Sequence, residues 1–183
     1  MFGKVRVALY IDGSNFYHYL KNRPINFPKG TLFDYKAFSD FLIGTRECIS
    51  RRYYTGIVNN PAHDPLIADR IRHQQKFIQG IRKDGFIVKR GRILHDGGGT
   101  REKGVDVKLA VDLTVGAADD LYDVAVLVSS DTDLVPAIKY IQHKKKQIEY
   151  VGFEHAKSKG LLHLAEKSIF LTAEDIEKFK RVP

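Results

Sequence analysis

The chain has 183 residues, 43% hydrophobic and 28% charged, a composition that fits one compact globular domain and excludes disorder, collagen-like repeats and an uninterrupted coiled coil. Lys and Arg number 30 against 22 Asp and Glu, a net charge of +8, which hints at a polyanionic partner. No apolar run approaches the ~20 residues of a membrane-spanning helix, the N-terminus lacks the pattern of a secretory signal, and the lone cysteine, Cys48, can form neither an internal disulfide nor a cysteine zinc site by itself. A cytoplasmic protein with no membrane partner is expected.

Val5–Ile11 (VRVALYI) is short, apolar and β-branched and stops at Asp12-Gly13, so it is predicted to be a central buried strand. Ser14-Asn15 can cap a helix that runs through Tyr19-Leu20 and ends ahead of a loop holding Pro24 and Pro28. After Asp34, the shared face of Tyr35, Phe38, Phe41 and Leu42 predicts a helix over Tyr35–Ile43, closed by Gly44. Cys48–Val58 is rich in β formers and reads as a strand, Asn59-Asn60-Pro61 breaks it, and Pro65 opens a long helix ending near Gly85. Phe86–Val88 begins a strand. Gly91–Gly104 (GRILHDGGGTREKG), with three consecutive glycines among charges, is expected to be a mobile surface loop.

A largely buried helix over Val105–Val115 and a fully buried strand over Val124–Val128 (VAVLV) come next. Thr132–His143 reads as a helix that tolerates Pro136 in its first turn, followed by a strand over Ile148–Phe153. A helix over His155–Leu164, a short strand over Ser168–Leu171 and a terminal helix over Ala173–Phe179 complete the chain. Strands alternating with helices predict an α/β fold whose mainly parallel sheet is covered on both faces.

In such sheets ligands collect at the carboxyl ends of the strands, and two of the predicted strands end in acids. The first gives Asp12-Gly13-Ser14-Asn15 and VAVLV gives Ser129-Ser130-Asp131-Thr132-Asp133. One acid after a strand is ordinarily a helix cap. If both strands are central and parallel, however, Asp12, Asp131 and Asp133 meet on one edge, and carboxylates at close range repel one another unless a cation sits among them. With no Cys or paired His alongside, carboxylates favour a hard ion such as Mg²⁺ or Mn²⁺ over Zn²⁺. Asp106 and Asp112 are separated by about 600° of helical rotation, so only one can face a shared ion. Asp106, in the first turn, is the better candidate, and Asp112 suits a buried partner for an amide or an Arg.

The segments YIDGSNFYH, KGVDVKLAVD and VLVSSDTDLVPAIKYI, followed by KQIEYVG, resemble the NYN domain family of PIN-like nucleases in order and spacing, over roughly Val5 to Phe153. The resemblance implies a three-layer α/β/α sandwich of PIN-like type over residues 1–155, with 156–183 a C-terminal helical extension packed on the same domain. It also implies a metal-dependent ribonuclease that hydrolyses RNA phosphodiester bonds, endonucleolytically in the favoured reading, with Mg²⁺ or Mn²⁺ as cofactor. Carried over, the catalytic and metal-binding acids are Asp12, Asp106, Asp131 and Asp133, supported by Asn15 and by the Ser130 hydroxyl. Asp12 and Asp131 are the expected direct ligands; Asp106 and Asp133 are expected to act through water or from behind the direct ligands, including as general base. Lys146-Gln147 stands where the family commonly has a glycine, which alters a turn. Nothing after Glu154 carries a family motif.

An acidic centre repels RNA, so cations must bring the strand to it. The first candidates are Lys89, Arg90, Arg92, Arg101 and Lys103 around the glycine-rich stretch, then Arg51 and Arg52, then Arg70, Arg72 and Lys76 on the long helix. Tyr17, Tyr19, Tyr53 and Tyr54 are candidates for base stacking, and His18 lies close enough in sequence to approach the site. Ser168–Lys180 is a candidate contact for a homodimer, or else covers one edge of the sheet. Two rival functions share the acids: a catalytically weak RNA-binding module and a metal-dependent phosphatase. The phosphatase would need a lysine or threonine anchor that the sequence does not offer, and gains nothing from a basic surface.

Overall fold

The computed structural model describes residues 3–28, 31–57, 65–96 and 99–181, leaving aside the side chains of residues 66 and 92–102. Its centre is β1 (Arg6–Asp12), six of whose seven residues are buried. On one side of it lie β3 (Glu47–Ile57), β4 (Ile87–Asp96) and β5 (Gly99–Lys103); on the other lie β6 (Val124–Val128), β7 (Gln147–Phe153) and β8 (Lys167–Leu171), in the order β5-β4-β3-β1-β6-β7-β8. Six of these strands are parallel and only β5, at the edge, is antiparallel to its neighbour. All five residues of β6 are buried, which is why that strand is continuously apolar rather than alternating: helices cover both of its faces.

Alternation along β1 separates two cores. Val7, Leu9 and Ile11 face α1 (Gly13–Lys21), α2 (Tyr35–Ile43) and the far end of α3 (Pro65–Lys83), packing with Phe16, Phe38 and Ile81. Ala8 and Tyr10 face α4 (Val105–Ala118) and α5 (Val135–His143), packing with Leu109, Leu113, Ile138 and Ile141. The result is the predicted three-layer α/β/α sandwich. Among the described residues no helix is long and apolar enough to cross a membrane.

The stretch expected to be a loop is mostly a hairpin. β4 continues past its parallel pairing with β3 and pairs Arg92–Asp96 with Gly99–Lys103 of β5. Polar, charged Thr100-Arg101-Glu102-Lys103 suits a sheet edge, where charge discourages further pairing; that polarity is what resembled a loop. Gly97 and Gly98 lie outside the described residues. The helix expected over His155–Leu164 is a 3-10 turn, Glu154–Ala156, and a one-turn α6 (Lys159–Leu162). Residues after 155 also supply β8 to the main sheet, the short α7 (Ala173–Glu177), and β9 (Lys180–Arg181), which pairs with β2 (Leu32–Phe33).

Candidate metal centre at the carboxyl edge of the sheet

β1 and β6 run in parallel register with Ile11 opposite Val128, so the next residues, Asp12 and Ser129, emerge side by side. Asp12 caps α1, its Oδ1 accepting the Asn15 backbone N–H at 3.1 Å, while Ser129 Oγ donates to its Oδ2 at 2.9 Å. Both side chains are buried, at 3% and 2% exposure, so the Asp12 carboxylate is held in one orientation at the floor of the edge. Gly13 is required here: a Cβ would fall 2.4 Å from the Tyr53 ring, which closes over the start of α1.

The turn after β6 is fastened to the same floor. Ser129 Oγ accepts the Asp131 N–H at 3.1 Å and Asn15 Oδ1 accepts the Ser130 N–H at 3.1 Å. Asp131 in turn caps a 3-10 turn over Thr132–Leu134, its Oδ1 accepting the Asp133 N–H at 2.9 Å. The third acid arrives from the opposite layer. Gly104, in the left-handed region at φ 80°, turns the chain from β5 into α4 and leaves Asp106 in the first helical turn.

One carboxylate oxygen from each of Asp12, Asp106 and Asp131 lies within 4.8 Å of the other two. These are three hard oxygen donors graded in exposure, with Asp12 buried, Asp131 half-buried and Asp106 exposed. Three carboxylate oxygens this close, on groups that open from the buried floor toward solvent, are a donor set that fits a hard divalent cation. Asp133 is exposed, on the 3-10 turn beside this trio, and is not one of the three.

The chain matches the NYN domain family over residues 6–172. It belongs to that family. A crystal structure of a Vibrio parahaemolyticus protein of unknown function has the same fold, with a TM-score of 0.73 at 22% identity, covering 96% of this chain and 98% of that one. No curated protein matches the chain. NYN domains have the PIN-like nuclease fold, which together with the acid trio supports a nuclease that holds a divalent metal.

The remaining candidates separate by what they touch. Asn15 ties the two strand ends together, whereas Ser130 turns its hydroxyl away from the acids, donating to the Ala156 carbonyl at 3.1 Å and meeting the Tyr150 hydroxyl at 3.2 Å. Ser129, passed over in favour of Ser130, is the serine that contacts Asp12. The signal for it was parity: Ala125 and Leu127 face α4, so the next residue on that side is 129.

Arg51 is engaged with α2, donating to Ser39 Oγ at 2.9 Å and Asp40 Oδ1 at 2.8 Å. Arg52 is tucked beneath α4, 3.3 Å from Asp112 Oδ2, with its guanidinium 5.5 Å from the Tyr10 ring centroid. Lys89 Nζ reaches the same Asp112 oxygen at 3.3 Å, and the Tyr54 hydroxyl donates to it at 2.7 Å. Asp112 is thus the partner for an arginine that its position on the helix suggested, although it is half-buried rather than buried. Burial pushes the Tyr10 hydroxyl up to about 12, and burial with the hydrogen bond to Asp112 pushes Tyr54 higher; both remain neutral donors. Arg90, on the part of β4 paired with β3, and Lys103, on β5, are exposed, while the side chains of Arg92 and Arg101 lie outside the described set. Tyr53 and Tyr54 are core residues, Tyr19 packs on Phe153, and Tyr17 is 57% exposed. The His18 ring lies on the outer face of α1, 3.0 Å from the Asn22 amide.

Proposed function

We propose that this chain is a ribonuclease that hydrolyses phosphodiester bonds within RNA, using Mg²⁺ or Mn²⁺ held by Asp12, Asp106 and Asp131. The observation that carries the reading is the convergence of those three carboxylates, from two adjacent strand ends and one helix N-terminus, to within 4.8 Å. Asp12, fixed by Asn15 and Ser129, is the rigid ligand at the base of the site. Asp131 is oriented by the Asp133 N–H. Asp106 adds the solvent-side ligand. Such an ion supplies Lewis-acid polarisation of a phosphodiester and a water acidified toward neutral pH. Asp133, exposed at the rim, accepts the proton of the attacking water. Arg90 on β4 and Lys103 on β5 draw the polyanion toward an otherwise repelling centre.

The test is incubation of a closed circular single-stranded RNA with the wild type and with Asp131→Asn, in Mn²⁺, Mg²⁺ or EDTA. Linear products from the wild type in metal, absent in EDTA and in the variant, are expected. A circle that stays intact while a linear RNA is degraded from its ends replaces the endonuclease with an exonuclease. If both RNAs survive and the protein still binds them, the chain is a binding module.

A further inference from the structure

A second concavity opens on the other face of the sheet, between α1 and α3, with a volume of about 500 Å³. That is within the ~300–1,000 Å³ of ordinary small-molecule sites. Its walls are rings: Tyr17, Phe27, Tyr35 and Phe77 all line it. Tyr17 and Phe77 remain 57% and 38% exposed, so ring surface that the core does not use is turned into a cleft. Edge contacts of Phe77 with Tyr35 and Tyr53, at 5.7 and 5.6 Å between centroids, hold that wall upright.

Basic side chains outnumber acids along the cleft: Lys21, Lys76 and Arg181 line it with a single acid, Asp84, which is 3.2 Å from Arg181, itself also 2.9 Å from Asp34. Lys21 Nζ stands between two rings, 5.6 Å from the Tyr17 centroid and 5.8 Å from Phe27, donating to the Phe27 carbonyl at 3.3 Å. Lys76 lines the same cleft and has no ion-pair or hydrogen-bond partner among the described residues.

We propose that this cleft is a nucleotide pocket that seats one unpaired base of a single-stranded RNA on Tyr17 and Phe77, with the adjoining phosphate on Lys76 and Lys21. Aromatic walls take the face of any base, and the two ammonium groups answer the phosphate. The pocket is linked to the metal centre by a single helix: α1 starts at the Asp12 cap, and Tyr17 lies five residues on, about 7–8 Å along the axis. This rests on the ribonuclease reading for the choice of RNA over other aromatic anions, and it makes the substrate a strand gripped at two points.

Binding is measured in EDTA, where hydrolysis is absent, with the full chain and a labelled 12-nucleotide single-stranded RNA containing 4-thiouridine, and in parallel with AMP. Tyr17→Ala is expected to weaken RNA binding roughly 5–100-fold, the range for loss of one stacking ring, and Lys76→Glu by a similar factor that shrinks as salt is raised. Both side chains are exposed, so the fold survives either change, and the photocrosslink is expected on Tyr17 or Phe77. AMP binding as tightly as the 12-mer would assign the same pocket to free nucleotides. Wild-type affinity in both variants, a crosslink elsewhere, no RNA binding by the wild type, or an apolar dye or peptide that RNA fails to displace would each overturn the pocket. If the circular RNA is cut while both variants bind normally, the pocket alone fails. If the variants bind weakly and the circle stays intact, the nuclease reading fails and the pocket stands.

Discussion

The two ends of the β1–β6 pair carry acids in opposite company. At the amino-terminal edge Asp123 receives three hydrogen bonds from Arg6, from its Nε at 3.2 Å, its NH2 at 2.7 Å and its backbone N–H at 2.9 Å, while Asp120 is paired with Arg6 and Lys146. At the carboxyl edge Asp12, Asp106 and Asp131 converge on one another. An acid that meets cations closes a polar account within the fold. Acids that meet acids leave one open to an outside cation, and stability then depends on what is bound. The contrast can be broken or sharpened by substituting at either end.

The largest expected effect is on turnover. Asp131→Asn should lower metal-dependent cleavage by at least 100-fold, because an amide keeps the volume and the capping acceptor but not the charge. In EDTA the same variant should be as stable as the wild type or slightly more so, since one of three mutually repelling charges is gone. The increase in melting temperature caused by Mn²⁺ in the wild type should be lost. A variant that melts lower than the wild type without metal would show Asp131 to be structural and remove the contrast.

Asp112 is the intermediate case, an acid that shares a helix with Asp106 and keeps company with Arg52, Lys89 and Tyr54. Asp112→Ala strands a half-buried guanidinium and a buried phenol, and should destabilise the fold by about 2–3 kcal/mol in denaturant titrations. Asp112→Asn, which still accepts from Tyr54, should recover part of that loss. Ser129→Ala sits at the boundary between structure and site. It removes the donor to Asp12 and the acceptor of the Asp131 N–H, at about 1–2 kcal/mol. Because an oriented ligand binds metal better than a loose one, Mn²⁺ affinity should fall about tenfold or more. An unchanged affinity would mean that Asp12 is held by the strand alone.

Much of the carboxyl edge was legible because it follows from strand direction. The apolar runs ending at Asp12 and Val128 place two acids on one rim once both strands are parallel neighbours, and helical rotation alone separates Asp106 from Asp112. What the chain did not disclose depends on partners far away in sequence. β5 has the composition of a loop and becomes a strand only because β4 outruns β3. β2 and β9 pair across almost the whole chain. Arg51 and Arg52 look alike as surface cations, yet adjacent residues on a strand point to opposite faces, and each is claimed by a different helix layer. The apolar cleft is invisible for the same reason, since Tyr17, Phe27 and Phe77 share no period.

The smallest effect tests the amino-terminal edge. Hydrogen bonds from Arg6 hold the Asp123 carboxyl down to about 2, below the ordinary carboxylate range, against the opposing effect of partial burial. A carboxyl with a lower pKa folded than unfolded stabilises the protein fully above about pH 4, and the contribution disappears as pH falls toward 2. Asp123 is 41% exposed, so water and salt screen the pair and the loss in Asp123→Asn should stay below about 1 kcal/mol at neutral pH. The gap between wild type and variant should close as the pH is taken from 4 to 2 and narrow in high salt, and neither Mn²⁺ response nor cleavage should change. A gap that persists at pH 2 would mean that Asp123 acts through shape and hydrogen bonding rather than charge, and the two edges would then differ in packing as well as in the company their acids keep.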